Sequence, residues 1–326
     1  MFFCRQRLFI SLVGNRSPAV SISLAPIRYR SVFGKYGGPI ERLEVFPQLS
    51  SDGRERHSAN AFLHASLRPN WVEEKSLYSN SDGSGTHLVR NIACYIAISE
   101  ALERWAFYSE CEGVRRTEFG FDADPSTTGM ASFPGLTTRA VRSRAAIEAA
   151  ERWTIVEWWL GRLPSRLSGR NGDTEGTLEI TSPFSECAVA IVWRVCSFGG
   201  LAYGFAGGAT LSEAIQHALV EQDRNIVVLE KVVREKGFRP GSSSTDSLAS
   251  GLERRLAFFA SAPGEALFRA RVDQSRKAQS VPPTPRTLVD CEIQGPWNRY
   301  TTVWRVLYEQ SSDVYLDESR NDFFLF

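Results

Sequence analysis

The sequence has almost no charge imbalance: 38 Lys+Arg stand against 37 Asp+Glu, a formal net of +1. No long Lys/Arg run offsets that balance, so neither nucleic acid nor a membrane surface is an expected partner. Cysteine is sparse and scattered. Cys4, Cys94, Cys111, Cys187, Cys196 and Cys291 form no C-x-x-C pair and none sits beside a His at zinc-finger spacing. That usage suits a reduced cytoplasm, the compartment expected here. No run reaches the roughly 18–20 apolar residues needed to span a bilayer. Residues 1–14 (MFFCRQRLFISLVG) loosely mimic a signal peptide, but no A-x-A-like site follows closely, and an ordinary N-terminal segment is expected. Histidine is limited to His57, His64, His87 and His217, with no E-x-x-H pair for a di-iron site, and each is read as structural or superficial. No local signature of Ser-His-Asp or Cys-His catalysis is present. Gly199-Gly200 and Gly207-Gly208 fit no Walker or Rossmann fingerprint and are read as turns or close packing. No short-period repeat occurs.

What is present can fill a large core: 43% of 326 residues are hydrophobic, with 20 Phe and 8 Trp. The pattern is α+β and essentially one domain, a strand-rich segment over 1–70 followed by a core over 71–326. Residues 40–46 (IERLEVF) alternate as a half-buried strand does, and 60–67 form a second strand candidate. Residues 79–86 (SNSDGSGT) read as a Gly/Ser loop. Helical periodicity then runs from about His87 to Cys111, and again over Thr138–Trp159. A loop is expected between them, over 119–133, and turns over 161–187. Residues 188–198 (AVAIVWRVCSF) are the strongest strand candidate, and 202–209 are small and Gly-rich. A third long helix is expected from Leu211 to about Lys236. A polar linker follows at 241–250, then a helix at 251–268 and final strands at 286–293 and 299–308. Trp158-Trp159 reads as a packing wall.

One pattern occurs twice. Residues 100–104 read Glu-Ala-Leu-Glu-Arg and 148–152 read Glu-Ala-Ala-Glu-Arg, each followed by Trp. On a helix, positions i and i+3 share a face, so Glu100 can join Glu103 and Glu148 can join Glu151. Crowded carboxylates repel, and a shared hard cation such as Mg²⁺ relieves them. The adjacent Arg104 and Arg152 suit bidentate contact with phosphate. For a single copy a solvated helix face is the better reading; the doubled motif, set in otherwise apolar helices, weighs the two readings evenly.

Three blocks in order resemble the YcaO family. Gly83-Ser84-Gly85 leading to Ser99-Glu100-Ala101-Leu102-Glu103-Arg104 resembles its G-K-G … E-A-x-E-R element. Ser126-Thr127-Thr128-Gly129-Met130-Ala131, then Glu148–Arg152 and Trp158-Trp159, resembles its S-N-G-x-A loop and A-x-x-E-x-x-E-R helix. Residues 207–221 (GGATLSEAIQHALVE) resemble its third acidic helix. The departures are Ser84 where many relatives have Lys, Thr128 for Asn, Arg224 for Gln and Trp153 for Asp. Residues 322–326 read DFFLF where some relatives carry a proline-rich tail.

The resemblance implies a YcaO-like fold of mixed sheets packed with three long helices that carry an ATP and Mg²⁺ site. It implies Glu100, Glu103, Glu148 and Glu151 as the catalytic and metal set. Ser84, Arg104, Thr128, Arg152, Glu221 and Arg224 are implied at the nucleotide. The implied activity is phosphorylation of a peptide amide oxygen in ribosomal natural-product biosynthesis. Azoline formation from Cys, Ser or Thr is expected first, with thioamide or amidine formation as variants. Expected partners are a precursor peptide, a leader-peptide-binding protein and a dehydrogenase, with the chain acting as a homodimer or within a complex. The departures motivate a second expectation, a non-catalytic scaffold. A third is an accessory factor for methylthiolation of a ribosomal protein.

Overall fold

The computed structural model describes residues 22–50, 53–72, 80–170, 174–236, 248, 250–277, 280–317 and 319–325. The segments 1–14 and 241–247 lie outside them. Element order is α1 (Ala25–Arg28), β1 (Ile40–Leu49), β2 (Glu55–Leu63), β3 (Gly83–His87), α2 (Arg90–Glu110), β4 (Met130–Phe133) and α3 (Arg139–Trp159). There follow β5 (Ser165–Arg170), β6 (Glu175–Ile180), β7 (Ala188–Val195), β8 (Leu201–Gly208), α4 (Leu211–Lys236), α5 (Gly251–Phe259), α6 (Ala262–Ser275), β9 (Thr287–Glu292) and β10 (Thr302–Tyr308). The strands make three antiparallel sheets, ordered β1-β2-β3, β4-β10-β9 and β5-β6-β7-β8. The α+β expectation and the three long helices hold.

Several local readings are corrected. The expected Gly/Ser loop contains strand β3, which pairs with β2. A Cβ on Gly83 would lie 2.2 Å from Ala97 O and 2.4 Å from Ala101 N. Its glycine therefore serves close packing of a strand on a helix, not a turn. The Gly-rich stretch after residue 200, given no element from sequence, is β8, and its glycine takes the close-packing role: a Cβ on Gly204 would lie 2.0 Å from Ala218 O and 2.5 Å from Gln222 N. The expected loops at 119–133 and 161–187 contain β4, β5 and β6. The second strand ends at Leu63, and a short 3₁₀ turn takes Ala65–Leu67. The expected helix over 251–268 is two helices, α5 and α6, with Ser261 and Pro263 at the break.

These contacts disclose an internal relation. One constant spacing carries Gly83 to Gly204, Ala97 to Ala218, Ala101 to Gln222 and Glu100 to Glu221. Each half is an antiparallel sheet whose last strand runs into a helix that packs back across it. α3 packs on β4 and β10 and reaches β8.

The largest core cluster lies against the four-stranded sheet. There Trp158 and Trp159 pack edge-on or stacked with Phe259, Phe268 and Phe324. Burying each such ring contributes roughly 2–3 kcal/mol. Arg255 fastens the C-terminal segment by donating to the carbonyls of Tyr315, Asp317, Arg320 and Leu325 at 2.7–3.1 Å. Cys94, Cys111, Cys187, Cys196 and Cys291 are all free thiols. No helix among the described residues is long and apolar enough to cross a membrane.

Candidate functional site

β3 and β8 are end strands of their sheets, and an end strand leaves backbone N–H groups unpaired. Carboxylates take them here. Ser84 N–H donates to Glu100 Oε2 at 2.9 Å, and the Ser84 hydroxyl donates to the same oxygen at 3.3 Å. Phe205 N–H donates to Glu221 Oε2 at 3.3 Å, and in both halves the glutamate lies 16 residues beyond its donor. Gly207 N–H donates to Glu151 Oε2 at 2.6 Å. Gly207 allows this approach, since a Cβ there would sit 3.1 Å from that of Glu151. The three helices thus aim acids at two sheet edges.

Glu103 and Glu148 complete the row. Neither accepts a hydrogen bond from the described residues. Burial pushes the Glu103 carboxyl well above its ordinary range, and the charges of Glu148 and Glu100 push it further, against Arg104. Burial also raises Glu148 to about 8; Arg152 opposes this, while Glu151 and Glu100 add to it. Glu221 is likewise pushed up to about 8, by burial first and then by Glu151, against Arg152 and Arg224. Glu151 is raised by burial, against Arg152, the Gly207 N–H and His217. All five glutamates keep half-exposed surfaces although protein crowds around them. Burial thus acts on Glu103, Glu148, Glu151 and Glu221, while each of the five keeps some exposed surface.

The cations of the row are the three arginines expected at the nucleotide. Arg104 lies 4.0 Å from Glu100. Arg224 Nε and Nη2 donate to Thr86 Oγ1 at 3.3 and 3.2 Å, tying α4 of one half to β3 of the other. Arg152 has its Nε buried without an acceptor. Five carboxylates against three guanidiniums leave an excess of negative charge if all ionise.

Two expected placements differ. Among the described residues, no group of three or more His, Cys, Asp or Glu converges to hold a metal ion, so Glu100, Glu103, Glu148 and Glu151 are not one ready-made ligand shell. The reason is that Glu100 and Glu151 are turned onto backbone N–H groups. Mg²⁺ commonly takes only one or two carboxylates together with substrate phosphates and water. The donor set therefore still suits Mg²⁺: Glu103 and Glu148 lack protein donors, and Arg152 Nε lacks an acceptor. The second difference is Thr128, which is buried, with its hydroxyl 2.8 Å from Ser126 Oγ. Ser126 donates in turn to Asp124 Oδ1 at 2.5 Å.

Sequence reading missed Arg305. This residue of β10 is fully buried, donates Nη2 to Asp124 O at 2.7 Å, and lies 3.8 Å over the Phe121 ring. Burial lowers its pKa to about 10, with Asp124, Tyr315 and Glu148 among the charges that oppose the shift. The available signal was one charge inside an otherwise apolar strand. His217 is superficial, as expected, with Nδ1 3.2 Å from Gly207 O.

No protein-family model matches the chain, and no curated protein matches it. Among solved structures, a YcaO from Methanopyrus kandleri bound with AMPPCP and Mg²⁺ aligns with 90% of this chain and 91% of its own. The identity is 16% and the TM-score 0.48, a distant likeness of fold that assigns no residue.

Proposed function

We propose that the acid row binds a nucleoside triphosphate through Mg²⁺ and that the chain thereby activates a peptide backbone amide. The observation that carries this is a row of five glutamates from three helices, each perturbing or perturbed by a neighbour in the row, two of them without protein donors, beside a guanidinium with an unpaired N–H. The ordered resemblance of the three motif blocks to the YcaO family supports the same reading. Bound ATP with Mg²⁺ would supply the phosphoryl group that turns an amide oxygen into a leaving group. Glu103 and Glu148 would hold the metal, joined by the second oxygens of Glu100, Glu151 and Glu221. Arg104, Arg152 and Arg224 would meet phosphate oxygens. Ser84 and the Thr128 loop would flank the nucleotide. Attack by a Cys, Ser or Thr side chain of a precursor peptide, closing an azoline, is the form proposed first. A leader-binding protein and a dehydrogenase are the proposed partners.

One observation favours a second reading, a scaffold without turnover. Glu100, Glu151 and Glu221 already have a structural task, capping two sheet edges. Calorimetry with Mg²⁺ and a non-hydrolysable ATP analogue separates the two. The proposal expects saturable binding that Glu148→Gln abolishes while the fold persists. Absence of binding by the folded native chain favours the scaffold.

A further inference from the structure

A cavity of about 370 Å³ opens where β10 ends, within the size range of small-ligand sites. Leu288 of β9 and Leu307 of β10 form an apolar wall, with Gln310, Asp124 and Tyr315 also lining it. The polar atoms of Asp124 are engaged: one oxygen accepts from Ser126 and the other from the Tyr315 hydroxyl at 2.9 Å. Gln310 differs. Its side-chain oxygen is buried with no donor, a costly arrangement unless a ligand supplies one.

Arg305 neighbours groups of both the cavity and the acid row, and Gly129, just past the 124–128 loop, lies against Val306 and against Ala149, the residue after Glu148. The Nε and Nη1 of Arg305 are buried without acceptors. Its charge is felt by Asp124 and Tyr315, which line the cavity, and by Glu148 of the row. The loop itself makes a second link, since Asp124 holds Ser126 and Ser126 meets Thr128. A spare acceptor on a cavity-lining side chain, which a turn of that side chain would present, and spare donors on a neighbouring arginine complement a secondary amide, which brings one N–H and one C=O.

We propose that this cavity is the subsite for the backbone of a peptide substrate, with Gln310 accepting a substrate N–H. Leu288 and Leu307 take the adjoining side chain, and the 124–128 loop leads the peptide towards Glu148. This rests on the reading of the chain as a peptide-amide-activating enzyme. A second cavity of about 360 Å³, lined by Leu167, Trp193 and Val272, serves as a control, because its Glu265 is already paired with Arg269 at 2.7 Å.

The test is methyl NMR of the full chain titrated with the blocked peptide N-acetyl-Gly-Ser-Gly-N-methylamide. Saturable shifts are expected at Leu288 and Leu307, with Leu167 and Val272 unmoved. Gln310→Leu is expected to weaken binding about fivefold, the loss of one hydrogen bond. Leu288→Trp is expected to abolish binding by filling the cavity; Leu288 is 39% exposed, so the larger ring leaves the core intact. Shifts at Leu167 and Val272 instead, no saturation, or unchanged affinity in Gln310→Leu would overturn the assignment. So would an ATP analogue that moves the same methyls and blocks the peptide, because the cavity would then hold the nucleotide. Triphosphate binding is measured on the same sample. Triphosphate bound with the peptide silent defeats this subsite alone; peptide bound with the triphosphate silent defeats the activation reading alone.

Discussion

Glu148 and Glu221 each hold a proton until about pH 8, against an ordinary 4.5 for glutamate. Burial is the first cause for both. In the unfolded chain the same groups ionise near the ordinary value, so the folded state binds more protons between the two pKa values. The stability this contributes is fully present below about pH 4.5 and is lost as pH rises through about 8. In a chelator, the melting temperature is expected to fall from about pH 5 to about pH 8. Glu148→Gln is expected to flatten that slope and to be the more stable protein at the alkaline end. A melting series over pH on both proteins checks this; a native slope no steeper than that of the variant refutes it. The paired glutamates were legible in the sequence because i and i+3 share a helix face. The role of Glu100, Glu151 and Glu221 in holding backbone N–H groups was not, because those donors belong to sheet edges that no local pattern reveals. Arg305 was marked only by its charge inside an apolar strand, and its role was not legible because its contacts, Asp124 and Phe121, are remote in the chain.

At the scale of elements, two glycine-bearing strands lie directly on alanine faces of the helices that follow them. Gly83→Ala and Gly204→Ala would each drive a methyl into helix backbone, and backbone cannot rotate away as a side chain can. Each is expected to cost about 3 kcal/mol, the upper part of the usual overpacking range. Gly34→Ala is the control, since its Cβ would meet only Ile40 O at 3.7 Å, and it is expected to stay within about 0.5 kcal/mol. Urea denaturation of the three variants measures these values, and equal midpoints would refute the packing account. The long helices were readable because their apolar residues recur at helical spacing. β3 and β8 were not, because glycine used for close approach has the same letters as glycine used for a turn. β5 and β6 were hidden by the turn residues around them.

At the scale of the whole molecule, two sheet-and-helix halves bring their end strands to the acid row, and α3 adds its glutamates between them. Arg224 of one half reaches Thr86 of the other, so the row forms only once the halves have docked. This depends on pairings between distant parts of the chain, which periodicity cannot supply. The central claim is that the row is a metal and phosphate site. Crystals grown with Mn²⁺ in place of Mg²⁺ and a non-hydrolysable ATP analogue test it most directly, through the anomalous signal of manganese. The account predicts a peak between Glu103 and Glu148, with the analogue's phosphates beside Arg152, and no peak in Glu148→Gln. Ordered analogue bound elsewhere, or an acid row without manganese at saturating concentration, would contradict it.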